Sequence, residues 1–508
     1  MPEEKDSAPP AVLPQDSPGT CRVGNLVYTR AGLLVLFFWL LWFDFCFTLM
    51  EGVLGPILQF RLMNELHCDP FLYKIFLATV PGAINFVLNP IISIASDRHR
   101  GPRGRRIPFL LYAAPIVCGC LALIGFGNDI AVWLQAKYLH TMSLVTVTIW
   151  TLGILSLIFC VFNMFLGTTF YYLFNDVVPP QHFVKFMGYM RVVSGVAGIL
   201  YSKFIFKYSN VTGPLHVNLG FWRYDTDAIW YPKVILVGAA AFYTVAATIA
   251  LLKIKEPTYP PPDPLGEGER PLKRWGNTIA IITKECFSHR FYVIYFITCM
   301  VDWMTYQMSD FQNPMRLSVG MDLAWLGELG FWTGIVSLVL TALTANYGDR
   351  FRPLPLMVFS MVLMVLTAPI GMLFLIPGLS TQGYFGIQIA YAVVHLPIMV
   401  VYGMAASPLA MTLMPRDRYG QFGAAQSMMR MITAQICGSL LAGAIMSVLK
   451  HVQGDYALRY AFTWNFIWQT ATLFCFYLLY REWKKLGGRD GFKPPPVRPA
   501  AAAGDEAE

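Results

Sequence analysis

The chain has 508 residues, of which 56% are apolar, 15% aromatic and only 13% charged, with a formal net charge of +8. Soluble domains carry about 25% charged residues, so a cytosolic enzyme, a secreted disulfide module and a nucleic-acid binder are excluded. Mean hydropathy is +0.50, and composition therefore outweighs a length that would otherwise suggest about three soluble domains; the chain is expected to be an all-α integral membrane protein.

Residues 1–28 are polar and proline-containing and are expected to form a tail rather than a cleavable signal. Twelve apolar runs follow, each near the ~20 residues that a membrane-crossing helix needs. They lie near 31–58, 71–95, 108–127, 144–174, 186–206, 230–252, 291–312, 326–346, 354–377, 383–413, 421–449 and 460–481. None shows the short alternating pattern of a barrel strand. A polar stretch, 253–289, holds Pro257, Pro260, Pro261, Pro262, Pro264 and Pro271 and is expected to be a linker with a short amphipathic helix near 272–287. It separates a six-helix bundle over 29–252 from a second over 290–482. The tail 483–508 ends in a low-complexity Pro/Ala stretch and is expected to be disordered.

With both ends and the linker on one side, that side carries 28 of the 38 Lys and Arg residues and the other 10. Basic loops stay in the cytoplasm, so both termini are expected there, and the net charge needs no anionic partner. Asn210-Val211-Thr212 is a glycosylation sequon in an outside loop. Most of the ten cysteines sit in apolar runs and read as small hydrophobes. Cys118 and Cys120 are too close for a zinc knuckle, and no metal site is expected.

The two halves echo each other. Asp97-Arg98, with Gly104, Arg105 and Arg106 behind it, follows the second run; Asp349-Arg350 follows the eighth. Val178-Pro179 with Phe183 and Phe186 after the fourth run parallels Met414-Pro415 with Tyr419 and Phe422 after the tenth, and Arg191 and Arg430 then stand early in the next helix of each half. This doubling resembles the major facilitator superfamily, in which two six-helix halves rock about a central site. That resemblance implies gating roles for Asp97, Arg98, Gly104, Arg105, Arg106, Asp349 and Arg350, with Asp97 capping the neighbouring bundle when the cytoplasmic side is shut. Asp176, at the end of the fourth run, reads as capping or gating.

Met50-Glu51 with Gly55-Pro56, Asn89-Pro90 ahead of Asp97-Arg98, and Arg105-Arg106 ahead of Pro108-Phe109 narrow the likeness. They are similar to the plant sucrose/proton symporters and, more closely, the animal proton-associated sugar transporters, near the glycoside–pentoside–hexuronide cation symporters. The resemblance covers residues 40–130 specifically and the second half mostly in architecture. It places an acidic or amide residue at Asn163 and an Asp at Asp176; the basic residue expected between them is replaced by Thr169 to Tyr171. Proton-coupled symport of a sugar or glycoside by alternating access is the implied function, with no enzymatic activity and no cofactor beyond the coupling ion.

A charge at mid-bilayer costs at least 2.5–3.5 kcal/mol and is a functional candidate by default. Asp44 and Glu51, seven apart, share a face of the first span and are the proton-coupling candidates, with Arg191 as partner. The competing reading for Glu51 is a static ion pair with Arg191 or Lys203. In the seventh span Asp302 and Tyr306, and Trp303 and Gln307, pair at spacing four. This mixture of carboxylate, amide and aromatic plate suits sugar hydroxyls and C–H faces; a polar helix end at the interface is the plainer alternative. Asn163 and His395 complete the substrate-site candidates, His395 fitting a buried hydrogen-bonded residue equally well. Asn85 and Asn89 read as helix glue, and Glu328 and Arg430 as second-half couplers. Other cargo remains open: drug-like or lipid-like efflux, or sodium-coupled symport. A membrane enzyme or scaffold fits less well, since no catalytic cluster or phosphate loop is present. The partners expected are a small molecule and the bilayer, with the chain acting as a monomer.

Overall fold

The computed structural model describes residues 20–218, 223–259, 286–347, 352–415 and 418–496. Among the described residues twelve helical spans run in order, at 30–65, 70–98, Ile107–Gly125, Leu144–Val177, 183–208, Tyr231–Lys253, 290–318, Leu323–Tyr347, 353–375, Thr381–Leu413, 419–453 and Ala461–Lys485. In a bilayer every backbone N–H and C=O must be satisfied within the segment, which is why apolar runs of this length become helices. Uninterrupted runs of sufficient length and hydropathy cover all but two; the exceptions are the fifth and seventh. The fifth carries Lys185, Arg191, Lys203 and Lys207. The seventh is broken into Arg290–Thr305, a 3-10 stretch Tyr306–Phe311 and Gln312–Ser318.

Two features depart from an all-helical expectation. Thr20–Val23 pairs with Leu26–Thr29, and Thr212–Asn218 pairs with Arg223–Trp230, each as an antiparallel hairpin. Both lie outside the apolar runs, and their short polar strands carry no helical periodicity for a hydropathy scan to register. The first hairpin packs on its own half: Thr258 N–H donates to Asn25 at 2.7 Å, and Cys21 lies 3.4 Å from His182. Asn210 of the sequon directly precedes the second hairpin. The tail also differs from expectation: residues 483–496 are folded, because the last helix continues to Lys485 and Phe492 finds aromatic partners. The helix expected near 272–287 falls almost wholly outside the described residues.

Helices in lipid gain nothing from burying apolar surface against one another, so packing rests on close contact. In the first half Phe37, Phe43, Phe170, Phe174 and Phe186 form a chain of tilted and edge-on rings 4.2 to 5.1 Å apart, a favourable aromatic geometry. In the second, Phe422 meets Tyr292 edge-on at 4.7 Å and stacks with Phe296 at 6.1 Å. Gly153 lets the fourth span meet the second: a Cβ there would stand 2.5 Å from the Phe76 ring. Gly153→Val is expected to cost ~1–3 kcal/mol by overpacking and to lower the melting temperature in detergent. Gly119→Ala, where a Cβ meets nothing within 4 Å, is expected to leave it unchanged.

Among the described residues, the side-chain bonds between the halves gather toward one end. Lys74 pairs with Asp310 at 2.6 Å, Lys203 with Glu328 at 2.5 Å, and Thr79 with Ser439 at 2.7 Å. Asn313 donates to Gln59 at 3.3 Å. All these residues lie toward the ends of their spans remote from Asp97, Arg105 and Arg106. We call the latter the basic end and the former the far end.

Candidate functional site

In the first half the carboxylate of Glu51 receives the Asn163 amide at 3.2 Å, joining the first span to the fourth. Glu51 is exposed although it lies midway along its span, while Asn163 is 6% exposed. A Cβ on Gly55, one turn further on, would meet nothing within 4 Å, so this face borders open space. Among the described residues no cation pairs with Glu51. Lys203 is engaged with Glu328 and Arg191 makes no ion pair, so the static pair is replaced by an amide contact. Asp44 is buried at 5%, receives the Ser194 hydroxyl at 2.7 Å, and lies within electrostatic reach of Glu51.

In the second half Asp302 lies beside Tyr402 and Tyr306, and Tyr306 beside Tyr391. One Asp302 carboxylate oxygen is buried without a hydrogen-bond partner, as is the Asn163 carbonyl, so each half keeps an unsatisfied acceptor. Tyr391 stacks on His395 at 4.6 Å and 18°, and Thr367 meets His395 Nδ1 at 3.1 Å; His395 is thus a hydrogen-bonded residue between the ninth and tenth spans. Trp303 faces the Arg430 guanidinium at 5.9 Å. Gln307 folds back, its amide donating to the Trp303 carbonyl at 3.0 Å. The broken seventh span carries this cluster, and an interrupted helix is where transporter sites concentrate.

Sequence reasoning missed Arg316. It lies deep in the bundle and donates to Gln388 at 3.0 Å and Asn313 at 2.7 Å, bridging the seventh and tenth spans through amides. Arg316→Leu is expected to lower thermal stability, with Arg316→Lys intermediate because the planar fork is lost.

At the basic end Asp97, Arg105, Arg106 and Asp176 converge. Arg105 binds Asp176 through two bonds of 2.9 and 2.5 Å. Arg106, 5% exposed, reaches Asp176 at 3.1 Å and bonds Asp97 and Ser96. Glu256 accepts the backbone N–H groups of Arg105, Arg106 and Ile107 at 2.8, 2.8 and 2.6 Å, a carboxylate on a helix N-terminus. Gly104 (φ +100°) leaves room for it: a Cβ would lie 2.5 Å from the Glu256 carboxyl carbon. Nothing in the loop motif pointed to Glu256, whose one signal is its position just past the sixth span. Burial, then the Asp176 and Glu256 charges, hold the Tyr259 phenol above its ordinary range, and its ring stacks on Arg105 at 4.1 Å. Arg98 ends the second span. Among the described residues the Asp97 partners belong to its own half. Asp349 and Arg350 lie outside the described residues.

The far-end contact has a built-in reporter. Cys68 is 1% exposed, and burial followed by the charge of Asp69 pushes its thiol up to about 12; Lys450 of the other half lies within electrostatic reach. The thiolate is the reactive form. Lys74→Ala removes the Asp310 pair and is expected to open this end, so that the Cys68 pKa falls toward its ordinary value. Maleimide labelling at pH 8, followed peptide by peptide, should rise at least about tenfold for each pKa unit recovered, with Lys74→Arg near wild type.

Two six-helix halves, a polar cluster within each and bonds joining them toward one end are the architecture of a multi-pass membrane transporter. The family model of the Major Facilitator Superfamily matches residues 40–438, and the chain belongs to that superfamily. No curated protein sequence matches it. Among solved structures, a mutant of the nucleoside transporter NupG is similar with a TM-score of 0.60 at 14% identity, covering 88% of this chain and 100% of that one. A bacterial homolog of the human lysosomal transporter Spinster, in an inward-facing and occupied conformation, has a TM-score of 0.58 at 14% identity, covering 91% and 98%. A D-xylose–proton symporter has 0.53 at 13% identity, covering 87% and 96%. At these identities the likeness concerns the fold.

Proposed function

We propose that the protein is a proton-coupled symporter of a sugar or glycoside, working by alternating access. The observation that carries the reading is Glu51, a carboxylate inside a span whose hydrogen-bond partner is a neutral amide and with which no cation pairs among the described residues. An intramembrane acid of this kind is a proton-exchanging group by default. Its Asn163 partner and the Asp302, Trp303, Tyr306 cluster of the second half supply the amide, carboxylate and aromatic groups that hydroxyl-rich cargo needs once it leaves water. The basic end is assigned to the cytoplasm, with both termini inside a plasma or inner membrane. The far-end bonds then lie on the outer side, and Asp97 would turn to the neighbouring bundle when the cytoplasmic side shuts. The chain is proposed to act as a monomer.

A nucleoside is the second reading: the Tyr391–His395 pair presents flat rings that suit a base, and a nucleoside transporter shares the fold. Uptake in proteoliposomes under an inward proton gradient separates the two, with labelled sucrose, maltose, glucose, a glucoside and uridine. Accumulation of a sugar only with the gradient supports the first reading. Uridine alone supports the second, and movement of neither overturns both.

A further inference from the structure

The chain past the twelfth span turns back onto the bundle. Gly487 (φ +102°) and Gly488 (φ +58°) reverse it, and a Cβ on Gly487 would stand 2.5 Å from the Gly491 carbonyl, so the turn requires glycine. Phe492 then packs on Phe291 at 5.5 Å and Trp483 at 6.3 Å, and Tyr292 donates its hydroxyl to the Pro495 carbonyl at 2.7 Å. The docked segment walls a cavity of about 500 Å³ at the basic end of the second half, against the start of the ninth span and the end of the tenth. Arg352, Arg489, Met411, Trp483 and Phe492 line it. Both arginines are exposed, and among the described residues neither guanidinium has a hydrogen bond or an ion pair. Arg352 also caps the helix Pro353–Met372 without a side-chain bond, so the positive end of that helix faces the same space. Arg481, Lys484, Lys485 and Lys493 flank the cavity in sequence.

We propose that this cavity seats the phosphate headgroup of an anionic phospholipid. Arg352 and Arg489 hold the phosphate, and Met411, Trp483 and Phe492 cover the glycerol and first acyl carbons. Trp483 stands in the last turns of the twelfth span, the level at which aromatic side chains meet headgroups. A lipid therefore reaches the cavity from the leaflet, and juxtamembrane arginines attract it. The proposal holds whatever the cargo.

The test uses the full-length protein in nanodiscs of phosphatidylcholine alone or with phosphatidylglycerol, and in detergent with inorganic phosphate. Native mass spectrometry reads bound lipid, and thermal unfolding reads stabilisation. Phosphatidylglycerol is expected to bind and to raise the melting temperature. Arg352→Gln with Arg489→Gln is expected to weaken it about 25-fold, the equivalent of ~2 kcal/mol from two basic residues. Arg352→Lys with Arg489→Lys should keep most of the affinity, as should Lys484→Gln with Lys485→Gln outside the cavity. Undiminished binding by the double Gln variant overturns the proposal. So does an equal loss in the Lys484/Lys485 variant, which would assign the attraction to general surface charge. Protection by millimolar phosphate equal to that by the lipid also overturns it, in favour of a soluble anion.

Discussion

Glu51→Gln is expected to abolish gradient-driven accumulation of cargo while leaving exchange across the membrane intact. With one proton per cargo and a gradient of two pH units, the wild-type carrier can concentrate its cargo about 100-fold, since each pH unit is worth 1.36 kcal/mol. A carrier that moves no proton reaches a ratio of about 1. The substitution is close to isosteric, and glutamine keeps the oxygen that accepts the Asn163 amide. No cation is left unpaired, so the fold should lose less than ~1 kcal/mol. Transport and stability are therefore expected to separate: normal melting, normal counterflow, no accumulation. Unchanged accumulation in Glu51→Gln would move the coupling elsewhere, Asp44 first, since it sits within reach on the same helix.

Asp176→Asn is expected to cause the largest loss of stability among the charged positions. Asp176 is 9% exposed and binds both Arg105 and the nearly buried Arg106. Removing one member of a buried ion pair strands the other, at a cost of about 3–5 kcal/mol. Here Asp97 and Ser96 still hold Arg106, which places the loss at the lower end, ~3 kcal/mol. Asp97→Asn should cost under ~1 kcal/mol, because that carboxylate is 48% exposed and water screens it. Thermal unfolding of the two variants in one detergent reads the order directly. An equal or reversed order would mean that the network is not built around Asp176.

The helices were legible because a bilayer asks one simple thing of a sequence, about 20 apolar residues in a row. The Asp97, Arg105, Arg106 constellation was legible because its members sit within ten residues of one another. Contacts made across the fold were not. Lys74 and Asp310 are 236 positions apart, and only the docking of the two halves brings them together. The Glu51 partner was not legible: an ion pair with Arg191 or Lys203 was the alternative to a coupling role, and choosing among Arg191, Lys203 and Asn163 depends on helix rotation about the axis. Arg316 escaped notice because amides rather than a carboxylate hold it. The two hairpins escaped for a different reason, as short polar strands resemble loops.

Among the described residues, four stretches at 60–65, 75–79, 201–205 and 431–438 are wound as π-helix. Each lies in a span that meets the opposite half, close to where the seal forms. A π turn holds a residue more than an α turn, and one residue turns the helix face by about 100°. The stripe that faces inward below such a turn is thus out of phase with the stripe above it. The second and eleventh of these spans, which are α-helical on both sides of the π stretch, behave as two short rods welded at an offset, one rod loyal to its own half and the other lent to the seam. Deleting a single residue at a weld, for instance Ala78, would straighten the rod and rotate the seam-forming face out of alignment, while nearly every apolar residue stayed in lipid. The same weld explains why chimaeras that join these spans by aligned hydropathy alone would insert normally and still fail to seal.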